Sequence, residues 1–210
     1  LGVNVRLEYG DVTDAQYVER LVNAYEVEWV FHLAAVSIVR IADASPARAI
    51  RTNVLGTLNV LEACRQSTTV KRVIVASSDK AYGDQHGLTY HERLPLEPVG
   101  AYEISKATAD MLARYYGAVV TRCANLYGPA DLNWSRLVPG SCRRALKGEA
   151  PIVHGGAWNY QREWLHVEDA VRAYMHLAEV GSPGTAYNVG SGHCRSAGEI
   201  ARMIAFGCDA

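Results

Sequence analysis

Short runs of β-branched and aliphatic residues alternate along the chain with longer stretches in which apolar positions recur every three or four residues. Parallel strands joined by crossover helices require that alternation, so the pattern predicts an α/β fold. Strands are predicted over residues 3–9, 28–34, 72–77 and 118–123, whose near-continuous hydrophobicity suits a sheet covered on both faces. Asp14 can cap a helix running through Val18, Leu21 and Val22, and Ser45-Pro46 opens a second that carries Ile50, Val54, Leu58 and Leu61 along one side to Cys64. A third helix is predicted over 102–116. Only Gly117 separates it from the strand at Ala118, where about 2–6 residues are usual, so the spacing predicts that a loop is missing there.

After Gly128-Pro129 the texture changes. A helix is predicted over 137–146, short strands at 151–153 and 163–165, a helix over 167–178, a strand-to-helix turn at Gly190-Ser191-Gly192, and a helix over 196–205. This divides the chain into a larger sheet domain, 1–128, and a smaller annex, 129–210, with room for the chain to cross between the two.

Composition narrows the class. With 49% hydrophobic and 20% charged residues, 210 residues can bury a sizeable core, which argues against disorder and disulfide-stapled scaffolds. Lys and Arg total 21 against 22 Asp and Glu, so there is no broad basic field for nucleic acid or an anionic membrane. The five cysteines form neither a Cys-x-x-Cys pair nor a zinc-ligand spacing, so free thiols and no metal are expected. No apolar run approaches the roughly 18 residues of a membrane span, and a soluble cytoplasmic protein is expected. The chain opens at Leu1 without a Met, and a preceding segment outside it is expected.

Candidate chemistry begins with Tyr102-Glu103-Ile104-Ser105-Lys106. A Tyr and a Lys four apart share one helix face and can reach the same ligand, and an ammonium beside a phenol favours the phenolate of a general base. The spacing alone also fits a solvated helix face. Ala76-Ser77-Ser78-Asp79-Lys80-Ala81-Tyr82-Gly83 adds hydroxyls, a carboxylate and an ammonium just past the carboxyl end of a buried strand, where open α/β sheets bind ligands.

Further segments follow in order: Gly10-Asp11-Val12-Thr13-Asp14, His32-Leu33-Ala34-Ala35, Thr52-Asn53-Val54-Leu55-Gly56-Thr57, Arg122-Cys123-Ala124-Asn125-Leu126-Tyr127-Gly128-Pro129, and Arg162-Glu163-Trp164-Leu165-His166-Val167-Glu168-Asp169. Together they resemble the extended short-chain dehydrogenase/reductase family, the NAD-dependent nucleotide-sugar epimerases and dehydratases, over almost the whole chain. The resemblance implies a Rossmann-like parallel sheet with helices on both faces and a small C-terminal substrate-binding annex. It implies that Tyr102 takes a proton from a sugar hydroxyl while hydride leaves the same carbon for NAD+, that Lys106 supports Tyr102 and holds the nicotinamide ribose, and that Ser78 donates to the sugar oxygen. It also implies cofactor contacts from Asp11, Val12, Leu33, Ala34, Ala35, Asn53, Ser77, Tyr102, Lys106 and Cys123. Substrate contacts are implied for Asn125, Leu137, Val138 and Arg162, and the implied partner is a nucleotide-diphosphate sugar.

Asp79-Lys80 points within the family. Plain epimerases usually carry small residues there, whereas 4,6-dehydratases carry an acid/base pair, and Ser78-Asp79-Lys80 resembles the Ser-Asp-Lys of CDP-glucose 4,6-dehydratases. A 4-epimerase or decarboxylase of the family, a noncatalytic nucleotide-sugar-binding fragment, and a structural Asp/Lys pair at a turn are the competing readings. The chain lacks the family's opening strand and Gly-x-x-Gly-x-x-Gly turn, a unit of roughly 30–50 residues, and its annex ends early. Helices over 46–64 and 102–116 correspond to the pair that builds a four-helix homodimer interface in the family, although their composition also allows core packing.

Overall fold

The structure, a computed structural model, describes residues 5–85, 89–154 and 156–208. The chain divides into two compact units, Leu1–Arg122 with His176–Asn188, and Cys123–Met175 with Val189–Ala210.

The first unit is built on a four-stranded sheet: β1 (Trp29–His32), β2 (Arg72–Ala76), β3 (Val119–Cys123) and β6 (Ala186–Val189), in that spatial order. β1 pairs parallel with β2, Trp29 facing Arg72, and β2 pairs parallel with β3, Ile74 facing Val119. Every residue of β3 is buried, as a sheet covered on both faces demands. One core cluster gathers Leu61, Val75, Ala113, Ala118, Val120 and Ala186. Each large aliphatic side chain so buried contributes about 1.5–3 kcal/mol.

Helix α1 (Ala15–Ala24) starts where expected, because the Asp14 side chain accepts from the Tyr17 amide at 3.0 Å. Its Val18 and Val22 pack with Val60, Ala63 and Cys64 of α4 (Gly56–Gln66). The long helix expected from Pro46 is divided. A short α2 (Val39–Ala44) precedes it, α3 (Pro46–Ile50) opens with Pro in its first turn, and a π-helical turn at Arg51–Leu55 separates α3 from α4. Periodicity of apolar residues does not report one inserted backbone residue per turn, so the π turn was invisible in the pattern.

Helix α5 (Ala101–Tyr115) packs on α2, α3, α4 and on the 3₁₀ turn Asp79–Tyr82. Its end corrects the expectation of a missing loop. The Gly117 amide donates to the Arg114 carbonyl at 3.1 Å and the Ala118 amide to the Ala113 carbonyl at 2.9 Å, the paired bonds of a Schellman motif. Gly117 has φ +78° with open space around a would-be Cβ, so only the backbone angle calls for glycine. One left-handed residue turns the chain straight into β3.

A buried ion pair anchors α5 to β3: Arg122 Nε and Nη2 donate to Asp110 at 2.8 and 2.9 Å. Arg122 Nη1 also donates to the Tyr82 hydroxyl at 2.8 Å, which donates to Asn188 Oδ1 at 2.7 Å. Burial alone would lower the Arg122 pKa, but the Asp110 carboxylate outweighs it and raises it.

Two strand expectations fail. Residues 5–9 form no ladder, with Val5, Leu7 and Tyr9 at 72%, 73% and 89% exposure, because an alternating run becomes a strand only against a partner and no described strand pairs with it. Residues 3 and 4 of that prediction lie outside the described residues. Residues 151–153 are likewise irregular; Pro151 has no amide to give to a ladder.

The second unit holds a three-stranded sheet of β4 (Asn125–Tyr127), β5 (Gln161–His166) and β7 (Cys194–Ser196), with β5 central. β4 runs parallel to β5, Asn125 facing Trp164, and β7 runs antiparallel to it. Helices α6 (Leu137–Ala145) and α8 (Ala197–Cys208) pack together, and α7 (Val167–Val180) follows β5 directly. The turn at 190–192 leads into the short strand β7 rather than straight into a helix. Gly192 there has φ +75°.

Candidate active site

β2 ends at Ala76, and the polar run begins at once. Ser77 is tied down by its backbone amide, which donates to the Thr121 carbonyl at 2.8 Å, while its buried hydroxyl finds no partner among the described residues. Ser78 caps the 3₁₀ turn: its Oγ accepts from the Lys80 amide at 3.2 Å and donates to Asp79 Oδ1 at 3.1 Å. Ser78, Asp79 and Lys80 are thus held at the carboxyl end of a central parallel strand by a local cap.

Tyr102 and Lys106, one turn apart on α5, are 7% and 6% exposed. Burying an ammonium is costly unless it is bonded, and Lys106 Nζ donates to the Ala76 carbonyl at 2.6 Å. The Lys106 amine therefore reaches the strand end from which Ser77 and Ser78 depart. The Tyr102 amide lies 3.4 Å from Asp43 Oδ1 at the start of α5.

Asn53, in the π turn, is 1% exposed and fully engaged. Its Oδ1 accepts from the Val36 amide at 2.7 Å, and its Nδ2 donates to the Val36 carbonyl at 3.2 Å and to Ser105 Oγ at 2.9 Å. Ser105 Oγ donates in turn to the Tyr102 carbonyl at 2.7 Å. A second chain runs from His32 Nε2 to Thr57 Oγ1 at 2.9 Å and on to the Asn53 carbonyl at 2.6 Å. Because Thr57 gives its only proton to that carbonyl, His32 is the donor to Thr57. Burial, with Lys106 nearby adding to it, pushes the His32 pKa down to about 4, so the ring is neutral near pH 7. Ser105, Thr57 and His32 carry no motif-level sign of this brace, and the sequence reading assigned none of them a role.

Asp11 and Val12 precede α1. Asp11 Oδ1 accepts from the Thr13 amide at 2.9 Å, which with the Thr13 hydroxyl holds the carboxyl below its ordinary range. Val12 packs so closely on α4 that a Cβ at Gly56 would lie 2.7 Å from Val12 Cγ2, and the Val12 carbonyl accepts from Asn59 Nδ2 at 3.0 Å. Leu33, Ala34 and Ala35 follow β1, with Leu33 59% exposed.

In the second unit, Asn125, Leu137 and Val138 line one cavity of about 220 Å³ together with Leu126, Arg136, Pro139 and Trp164. Asn125 Nδ2 donates to the Glu163 carbonyl at 3.2 Å. Arg162 is half-buried on β5, its guanidinium 4.0 Å above the Tyr160 ring. Cys123 is buried, its Sγ 3.5 Å from the Tyr174 hydroxyl. Trp164, which faces Asn125 across the ladder, joins these residues although the sequence reading gave it no role.

The family model of the NAD dependent epimerase/dehydratase family matches residues 2–190. The chain belongs to that family. It is 34% identical to a dTDP-glucose 4,6-dehydratase of Neisseria gonorrhoeae, over 94% of this chain and 61% of the relative. It is 35% identical to one of Mycobacterium tuberculosis, over 89% of this chain and 57% of the relative. A dTDP-glucose 4,6-dehydratase of Streptomyces venezuelae solved with NAD bound superposes with a TM-score of 0.88 at 31% identity, covering 98% of this chain and 64% of that one. A UDP-glucose 4-epimerase of Thermotoga maritima superposes with a TM-score of 0.88 at 28% identity, covering 100% and 71%. The chain thus spans about three fifths of the length of the curated relatives named here.

The residues present suit the dinucleotide that this epimerase/dehydratase family is named for. Asp11 offers an ionised carboxylate to an amino group, Leu33 and Ala34 an exposed apolar run past β1, and Ser77 a buried hydroxyl without a partner among the described residues.

Proposed function

We propose that the protein is an NAD-dependent nucleotide-sugar 4,6-dehydratase, a hydro-lyase. The observation that carries this reading is Asp79-Lys80, an ionisable pair capped in place by Ser78 at the end of β2, in a turn packed against the helix of Tyr102 and Lys106. In this reading Asp11, Val12, Leu33, Ala34, Ala35, Asn53, Ser77 and Cys123 hold the dinucleotide, with Tyr102 and Lys106 at its nicotinamide ribose. Asn125, Leu137, Val138 and Arg162 hold the nucleotide diphosphate of the sugar, Arg162 because a planar guanidinium matches phosphate oxygens.

Bound NAD+ supplies the hydride acceptor for carbon 4 and, later, the donor to carbon 6. Tyr102 takes the proton of the 4-hydroxyl as that carbon becomes a ketone, with Ser78 donating to the same oxygen. The ketone acidifies the hydrogen on carbon 5. Asp79 and Lys80 divide the next step: one removes that proton, the other protonates the hydroxyl leaving carbon 6, water departs, and a proton returns to carbon 5 as the hydride reaches carbon 6. An epimerase has no use for this second pair, which favours dehydration over the 4-epimerase reading that the Thermotoga neighbour would suit.

Mass spectrometry of the protein with NAD+ and dTDP-, UDP-, CDP- and GDP-glucose tests the proposal. Loss of one water from one of these sugars is expected; isomerisation without loss of mass would overturn it.

Two coarser features accompany the proposal. A homodimer is supported by the apolar residues left exposed on α5, Ile104, Met111 and Tyr115, and on the neighbouring Ile50 and Leu55. A cytoplasmic site is supported by Cys64 and Cys194, whose thiols form no disulfide among the described residues. Among the described residues no helix is long and apolar enough to cross a membrane.

A further inference from the structure

Arg162 and Arg195 stand directly opposite each other on the antiparallel strands β5 and β7. Residues so paired share one face of the ribbon with Cβ atoms about 4.5–5.5 Å apart, and like charges in that position repel. The nearby carboxylates form no ion pair with them, although the Glu199 charge lies close enough to be felt by Arg195. Glu163 falls on the other face by strand alternation, and its Oε1 accepts from the Gly192 amide. Glu199 Oε2 accepts from the Ser196 amide at 2.6 Å. Among the described residues neither guanidinium lies within ion-pair distance of a carboxylate. Arg162 rests on the Tyr160 ring and gives one bond, from Nη1 to the Gln161 carbonyl at 3.2 Å. Most of the donors of both forks are therefore uncommitted.

We infer that Arg195 is a second phosphate-binding guanidinium that works with Arg162 as a clamp on a nucleoside diphosphate. The inference rests on the reading of Arg162 above. Trp164 sits two positions along β5 on the same face, about 7 Å from Arg162. Its indole Nε1 donates to the Arg195 carbonyl at 3.3 Å, and its ring lines the cavity shared with Asn125, Leu137 and Val138. Two facing cations, joined through Trp164 to a cavity that this residue lines, match a ligand with two joined phosphates on one side and a flat ring on the other. Each fork takes one phosphate bidentately, and the anion cancels the repulsion that the pairing creates.

Calorimetric titration of inorganic pyrophosphate, uridine diphosphate and uridine into the chain and its R195Q, R195K and R162Q variants tests this. R195Q is expected to weaken pyrophosphate and the diphosphate about tenfold or more while leaving uridine unchanged, and to flatten the salt dependence. R195K is expected to recover only part of the loss, since an ammonium is a point charge. Without ligand, R195Q is expected to melt no lower than the parent, because it removes a repulsion. The inference is overturned if the parent fails to bind pyrophosphate, if R195Q binds it as the parent does, or if unliganded R195Q melts several degrees lower, which would make Arg195 structural. These outcomes are independent of turnover. Arg195-dependent pyrophosphate binding in a protein that removes water from no nucleotide sugar would sink the dehydratase reading and leave the clamp standing.

Discussion

Asn53 donates to the Ser105 hydroxyl at 2.9 Å, and through that single bond the π turn grips the helix that carries Tyr102 and Lys106. The same Asn53 side chain closes two bonds on Val36, just past β1. Truncating it strands a buried amide and carbonyl, so Asn53→Ala is expected to lower stability by about 2–4 kcal/mol and Ser105→Ala by about 1 kcal/mol. Urea unfolding of both variants checks this; an Asn53→Ala midpoint equal to the parent's would show that the brace carries no load.

His32 links acid to stability. The unfolded chain takes up a proton near pH 6.5 and the folded chain only near 4, so stability is full above about pH 6.5 and declines as pH falls through that window, by up to about 3 kcal/mol. Glu62, pushed down to about 2 by Arg65, loses its contribution only below the ordinary carboxylate range and leaves the upper part of the window to His32. Denaturant midpoints measured at about pH 7 and 5 should differ in the parent and converge in His32→Gln. A parent whose midpoint is flat over that interval contradicts the assignment.

Tyr102→Phe removes only a hydroxyl from a buried ring. Turnover of the nucleotide sugar is expected to fall by at least about 100-fold, with NAD binding and melting temperature nearly unchanged. Activity within about tenfold of the parent would remove Tyr102 from the role of base.

Asp79 and Lys80 separate elimination from oxidation. In Asp79→Asn with Lys80→Met, oxidation at carbon 4 still has Tyr102 and Lys106, so the ultraviolet absorbance of reduced nicotinamide is expected to build up while no water is lost. In the parent, deuterium from the solvent should appear at carbon 5. A double variant that forms product at the parent rate, or a parent that exchanges nothing at carbon 5, would leave the pair as a structural turn.

Strands β1, β2, β3 and β5, the α1 cap and the Tyr-Lys helix were legible because each is written in local chemistry: a β-branched run, Asp14 before an amphipathic stretch, two residues one helical turn apart; the short β4, β6 and β7 were not. The polar run 77–80 was legible for the same reason, as it follows a buried strand directly. Residues 5–9 misled because alternation describes a strand's faces and not its partner. The π turn, the His32 to Thr57 chain and the facing pair of Arg162 and Arg195 depend on backbone register or on residues far apart in sequence, which no periodic pattern encodes. Arg122 and Asp110 likewise read as a strand residue and a helix residue; only packing makes them one buried pair.

The Schellman turn at Gly117 leaves the chain no slack. With only Tyr116, Gly117 and Ala118 between α5 and β3, the end of the helix dictates the phase of the strand, and Val120 lands beside Val75 because Ala118 is pinned to Ala113. An extra residue in a roomy loop would be absorbed there. Here it would slide β3 by one position, turn every side chain to the opposite face, and swing the Arg122 guanidinium away from Asp110. A connection this short is the one least able to lengthen, and the strand that receives the Ser77 amide inherits its alignment from a glycine at the far end of the Tyr-Lys helix.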